Sequence, residues 1–283
     1  TNTFNSTSIS QADYLMESIV YELNKQSALI AKQAIIDMGF KKSSNPRFVC
    51  GSLGPTNKTA SMSPDVSNPA YRNIDFEGLV NAYREQVKGL IDGGVDLILI
   101  ETVFDTLNCK AALFAVHDYF EREGILIPVM VSGTITDASG RLLSGQTPEA
   151  FWHSIRHYDL LAVGLNCALG AEQIRPYIYS LSKIVNTNII VFPNAGLPNE
   201  FGHYDETPEI MAGFLKEFSE SKLVNIVGGC CGTTPDHIKR FVSDIKNLKP
   251  RKIPKIESLT KLSGLEPLVI RSDTNFVNIG ERT

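Results

Sequence analysis

Two adjacent cysteines, Cys230 and Cys231, stand in the stretch VNIVGGCCGTTPDHI between glycines and a helix start, and a third, Cys167, ends the run LLAVGLNC. Three sulfurs suit zinc, which takes tetrahedral sulfur and nitrogen ligands; a site with three protein ligands leaves the fourth position for water or substrate. Successive strand residues point to opposite faces, so Cys230 and Cys231 can both ligate only where the backbone turns sharply. Gly228, Gly229 and Gly232 permit such a turn. A buried cysteine is also a small hydrophobe, and an adjacent pair is a candidate redox couple. Spacing alone is consistent with all three readings.

Other polar residues gather at the ends of apolar runs. Glu101 closes VDLILI, where a carboxylate would be buried at a cost unless it faces a site or a cation, and it is read as a ligand-binding residue. Ser132 follows IPVMV, and Asn194 lies in FPNAG. Asn194 has three readings: donor to a substrate, brace of the strand-end turn, or weak oxygen ligand completing a metal shell when substrate is absent. Cys50 falls in a strand and Cys109 in a helix, where packing accounts for both. The five histidines, His117, His153, His157, His203 and His237, fall in helices or loops, and none is read as a zinc ligand.

The elements that must position these residues recur regularly. Short β-branched runs begin at Arg47, Val95, Ile127, Leu160, Asn188 and Leu223, each reading as a buried strand. Between them the spacing predicts helices over 11–38, 75–92, 106–122, 147–157, 171–185, 207–219 and 235–247. Thr147-Pro148, Thr207-Pro208 and Thr234-Pro235 each place a capping hydroxyl before a proline at the first helical position. Strict strand-helix alternation implies an α/β fold with a parallel sheet. No GxGxxG opens a helix, which leaves a dinucleotide-binding sheet without support. In a (β/α)8 TIM-type barrel the strand C-termini share one catalytic face, and that is where Glu101, Ser132, Asn166, Cys167, Asn194, Cys230 and Cys231 gather. Six strands do not close an eight-stranded barrel. The expectation is therefore a barrel whose first two strands, with the helix between them, lie upstream of Thr1.

After Asn247 the text KPRKIPKIESLTKLSGLEPLVIRSD is rich in proline and lysine and lacks a clear period, which reads as an extended C-terminal linker. A net charge of −4 and the absence of dense Lys/Arg runs argue against nucleic acid as a partner. An odd, irregular set of five cysteines in a 283-residue chain does not resemble a secreted disulfide framework and fits a reducing cytoplasmic setting. No signal peptide or membrane span is visible.

The motifs GLNCALG from Gly164, FPNAGLP from Phe192 and VGGCCGTTPDHI from Val227 resemble the homocysteine S-methyltransferase family. Within it, GSLGPTNKT from Gly51, the segment from Tyr71 to Thr106 and SGTITDASGRLLSGQTPEAF from Ser132 look like the homocysteine-binding domain of the cobalamin-dependent methionine synthases. The tail LSGLEP…TNFVNIGERT resembles the joint to a folate-binding barrel, which betaine-type and S-methylmethionine-type relatives lack. The resemblance implies a domain over 1–248, a linker over 249–274 and the start of a folate (pterin)-binding barrel at 275–283. It implies zinc held by Cys167, Cys230 and Cys231, with homocysteine sulfur entering the open position as a thiolate. Methylcobalamin, carried on another domain of the parent chain, would supply the methyl group, and methionine is the product. By the same resemblance Glu101 binds the substrate α-amino group, and Ser132, Gly133 and Thr134 neighbour its carboxylate. Two readings compete with this one: a stand-alone methyltransferase using betaine or S-methylmethionine, and a non-catalytic structural-zinc or dithiol redox module.

Overall fold

The computed structural model describes residues 1–40, 45–137, 139–278 and 280. The chain opens with a short helix α1 (Ser8–Gln11), followed by two 3-10 turns and helix α2 (Val20–Asp37). The single helix expected over 11–38 is thus broken, because Leu15 adopts a left-handed backbone (φ 58°) that no α-helix contains.

Strand and helix then alternate as expected: β1 (Cys50–Leu53), α3 (Phe76–Asp92), β2 (Leu97–Val103), α4 (Thr106–Glu123), β3 (Val129–Gly133) and α5 (Pro148–Ile155). The series continues with β4 (Ala162–Gly170), α6 (Ala171–Ile184), β5 (Asn188–Asn194), α7 (Pro208–Glu220), β6 (Ile226–Val227) and α8 (Pro235–Ile245). The helix starts are chemically marked. Asp75, Asp105, Thr147 and Thr207 each accept a hydrogen bond from a first-turn N–H, and His237 completes a reciprocal cap with Thr234.

The six strands form one parallel sheet in sequential order, β1 through β6, as a TIM-type barrel requires. Among the described residues β1 and β6 do not pair with each other, so they are the sheet's edges. The main core lies between the sheet and its helices, where Val87, Leu90, Leu113, Val116, Val131, Val163, Leu165, Ile178, Leu181 and Leu215 are fully buried. A smaller cluster of Leu99, Met130, Ala162 and Ile190 packs on the opposite face of the sheet. The segment Thr1–Phe4 runs beside β1: the Gly54 N–H donates to Phe4 O at 3.0 Å and the Thr3 hydroxyl to Ser52 O at 2.7 Å.

The segment expected to be an extended linker is partly structured. Arg251 is buried and its guanidinium donates to the carbonyls of Ser182, Val185 and Thr187, while β7 (Thr260–Ser263) and β8 (Pro267–Ile270) form an antiparallel hairpin. That hairpin docks on the loop before α5. The Thr147 N–H donates to Leu265 O at 2.9 Å, and Arg141 pairs with Glu266 at 2.6 Å. Within 275–283, read as the start of a second barrel, residues 279 and 281–283 lie outside the described residues. Among the described residues no helix is long and apolar enough to cross a membrane.

Candidate metal centre

The sequence sets Cys167 and Cys231 far apart, but the parallel sheet brings the ends of β4 and β6 to either side of β5. There the sulfurs of Cys167 and Cys231 lie 3.8 Å apart, those of Cys230 and Cys231 3.9 Å, and all three fall within 4.8 Å of one another. Tetrahedral thiolates at a metal–sulfur bond of about 2.3 Å would set their sulfurs roughly 3.8 Å apart. The donor set and its spacing therefore fit a metal ion, and each cysteine is half-buried.

Local backbone geometry produces this convergence. Cys167 and Ala168 both adopt left-handed conformations (φ 60° and 59°), where β4 breaks register with β5 between Asn166 and Gly170. Such a bulge re-aims a side chain at the cost of strain in non-glycine residues. After β6 the chain turns: the Cys230 N–H donates to Pro193 O at 2.8 Å, the Cys231 N–H to Asn194 Oδ1 at 3.1 Å, and the Thr233 N–H back to Cys230 O at 3.1 Å. Of the three glycines expected to allow the turn, Gly232 carries the positive φ of 79°. Gly228 and Gly229 serve by lacking a side chain, since a Cβ there would come within 2.8 Å of the Phe192 ring and 2.0 Å of the Thr233 hydroxyl.

The thiols do not share protons equally. Cys167 is pulled down to about 6, chiefly because the Cys230 thiol donates a hydrogen bond to its sulfur, with the Ala168 N–H, Cys231 and Asn194 adding to this against the cost of burial. Cys230 is pushed up by giving that hydrogen bond and by burial, and Cys231 by burial and by the charge on Cys167.

Glu101 lies near the end of β2 on the same face, half-buried, and accepts a short hydrogen bond from the Ser52 hydroxyl near the end of β1. Burial pushes its carboxyl up, partly offset by the Ser52 bond, and the Cys167 charge adds to the rise. Asn194, buried at the end of β5, has its oxygen committed to the Cys231 N–H. Ser132 and Gly133 end β3, and the Ser132 hydroxyl donates to Asn166 Oδ1 at 2.6 Å. The Thr134 N–H donates to Val103 O at 2.8 Å, whereas its buried Oγ1 has no hydrogen-bond partner among the described residues. Cys109 is buried in α4 and Cys50 half-buried in β1, both away from the cluster.

Sequence reasoning gave two residues here no role of their own. Ser52, which orients Glu101, lies in the motif GSLGPTNKT but was not singled out within it. Asn166 is fully buried and bonded to both β2 and β3. A buried amide at a strand end was its available signal, since such a group must find partners.

An α/β barrel with chemically capable residues on the C-terminal strand ends defines a barrel enzyme with a thiol-lined centre. The chain belongs to the homocysteine S-methyltransferase family, whose sequence profile matches residues 1–245. It is thereby placed among methyltransferases with homocysteine as the family substrate. In solved structures it is similar to the homocysteine methyltransferase MmuM from Escherichia coli. The metallated form aligns with a TM-score of 0.67 at 21% identity, over 86% of this chain and 77% of that one. The oxidized form gives 0.66 with the same identity and coverage. The apo form gives 0.62 at 21% identity, over 80% and 75%. At that identity the likeness concerns the fold.

Proposed function

We propose that this chain is the homocysteine-activating part of a methionine synthase, with Cys167, Cys230 and Cys231 holding zinc. The observation that carries this reading is three sulfurs within 4.8 Å of one another, two of the separations at 3.8 and 3.9 Å as tetrahedral zinc ligands require, on cysteines that are only half-buried. When bound, zinc would keep a coordinating thiol deprotonated at neutral pH, and three cysteinate ligands would leave that sulfur electron-rich enough to attack a methyl group. Glu101, on the same face, fits the substrate ammonium; a carboxylate that burial makes reluctant to ionise gains most from a cation beside it. Ser132, Gly133 and Thr134 form the neighbouring wall for the carboxylate, with Thr134 Oγ1 the group whose hydrogen-bonding capacity is unspent. A role for Asn194 as fourth ligand without substrate would require its oxygen to share or release the Cys231 N–H.

Residues 1–248 serve in this reading as the homocysteine domain, 249–274 as the linker, and 275–283 as the entry to a folate-binding barrel, with methylcobalamin presented by another domain. The tail LSGLEP…TNFVNIGERT favours this donor over betaine or S-methylmethionine. The test supplies zinc-loaded protein and homocysteine with each of the three donors and follows methionine. Formation from methylcobalamin is expected; formation solely from betaine or S-methylmethionine would replace the reading with that of a stand-alone enzyme. X-ray absorption separates the third possibility. A fourth sulfur at the metal on adding homocysteine is expected, and its absence would leave a structural or redox site.

A further inference from the structure

Asn166 precedes Cys167 and is fully buried, yet it has no part in the thiol chemistry itself. Its side chain is bonded on every side. Oδ1 accepts from the Thr102 N–H at 2.8 Å and from the Ser132 hydroxyl at 2.6 Å, while Nδ2 donates to Thr102 Oγ1 at 2.7 Å and to Cys230 Sγ at 3.9 Å. An amide offers two donors and two acceptor positions, so its capacity is fully used.

Thr102 is the unusual partner. It holds φ at 57°, a left-handed conformation that a β-branched residue strongly avoids, and it lies where β2 slips register against β3 between Ile100 and Val103. One buried amide accepts from its N–H and donates to its Oγ1, and these two hydrogen bonds hold it there. The neighbour that this twist aims is Glu101. One side chain on β4 therefore touches both the backbone that orients Glu101 and the sulfur of Cys230.

We propose that Asn166 is a positioning residue that joins the substrate strand to the metal thiolates, clamping Thr102 so that Glu101 faces the site and steadying Cys230 through its sulfur. The proposal rests on the reading of the cysteines as a zinc site and of Glu101 as the ammonium partner. Groups that orient metal ligands are worth about 10–100-fold in affinity or activity, which sets the size of effect to look for.

The test uses the full chain loaded with zinc, with homocysteine affinity read by calorimetry and zinc retention by competition with a chelator. In Asn166→Ala both quantities are expected to fall about tenfold or more. Glycine adopts the left-handed conformation without a clamp. Adding Thr102→Gly to Asn166→Ala should therefore restore most of the homocysteine affinity while leaving zinc retention low, a split that mere loss of packing would not give. If Asn166→Ala does not fold, Asn166→Asp keeps the volume and the acceptor for the Thr102 N–H but replaces the donor to Cys230; weakened zinc retention is then expected. Wild-type values of both quantities in either folded variant, or no recovery with Thr102→Gly, would overturn the proposal. Glu101→Gln is measured alongside. Unchanged homocysteine affinity there would overturn the ammonium reading and with it the aiming of Glu101, and zinc retention in the Asn166 variants would still decide the link to Cys230.

Discussion

Cys167 and Cys231, 64 positions apart in sequence, hold their sulfurs 3.8 Å from each other. A packing role does not require that spacing, and a metal shared with Cys230 does. Replacing any of the three by serine should cost roughly a hundredfold or more in zinc affinity, because an apparent binding free energy of about 10–16 kcal/mol is carried by only a few ligands. Elemental analysis after chelator washing checks this. Undiminished zinc in both Cys230→Ser and Cys231→Ser would remove the ligand assignment.

Zinc uptake should release protons in a number set by the cluster. At pH 7 Cys167, drawn down to about 6, is largely thiolate already, whereas Cys230 and Cys231 are both raised and keep their protons. Binding as three thiolates then liberates about two protons. Below pH 6 Cys167 is protonated as well, so release moves toward three and zinc affinity falls more steeply. Calorimetry in two buffers of different ionisation enthalpy counts the protons. Release of none at pH 7 would mean that the thiols do not bind as thiolates.

Glu101→Gln should leave zinc in place and weaken homocysteine binding by about 1.5–3 kcal/mol, the usual worth of a hydrogen bond to a charged group. The pH dependence has a definite sign. Burial raises the carboxyl, and only its ionised form balances an ammonium, so homocysteine affinity should drop as pH falls through that raised value. The glutamine variant should lose that component of the pH dependence. Identical pH profiles for the two proteins would separate Glu101 from the substrate amine.

The alternation of strands and helices was legible because parallel strands buried on both faces read as apolar runs, and because Thr-Pro pairs mark helix starts at Thr147, Thr207 and Thr234. The three thiols were legible as residues at strand ends. Their gathering on one barrel face was expected too; the backbone that accomplishes it was not, since it depends on left-handed conformations at Cys167 and Ala168, two residues whose types give no hint of it. The turn at Cys230 was assigned to three glycines, while the structure divides them between conformation at Gly232 and close approach at Gly228 and Gly229. The hairpin at 260–270 escaped notice because its strands are short and contain no fully buried residue, and its place is set by contacts with the loop before α5 rather than by its own period.

Arg251 shows how the segment after α8 contributes to the barrel. Its guanidinium donates to Ser182 O at 2.9 Å, Val185 O at 2.5 Å and Thr187 O at 2.9 Å, capping the C-terminal end of α6 with a cation where the helix dipole favours one. Arg251→Met keeps much of the buried aliphatic stem but leaves those carbonyls without their donor, at a cost of about 1–3 kcal/mol for each buried group left unsatisfied. The expected result is a lower urea midpoint with an unchanged slope, about 3 kcal/mol in all once partial rehydration is allowed for. Zinc content should not change, because Arg251 bonds at the entry to β5 and β6, while the thiols lie beyond their exits. A wild-type midpoint would show that the segment merely rests on the barrel, and lost zinc in a folded variant would show that its influence crosses the sheet.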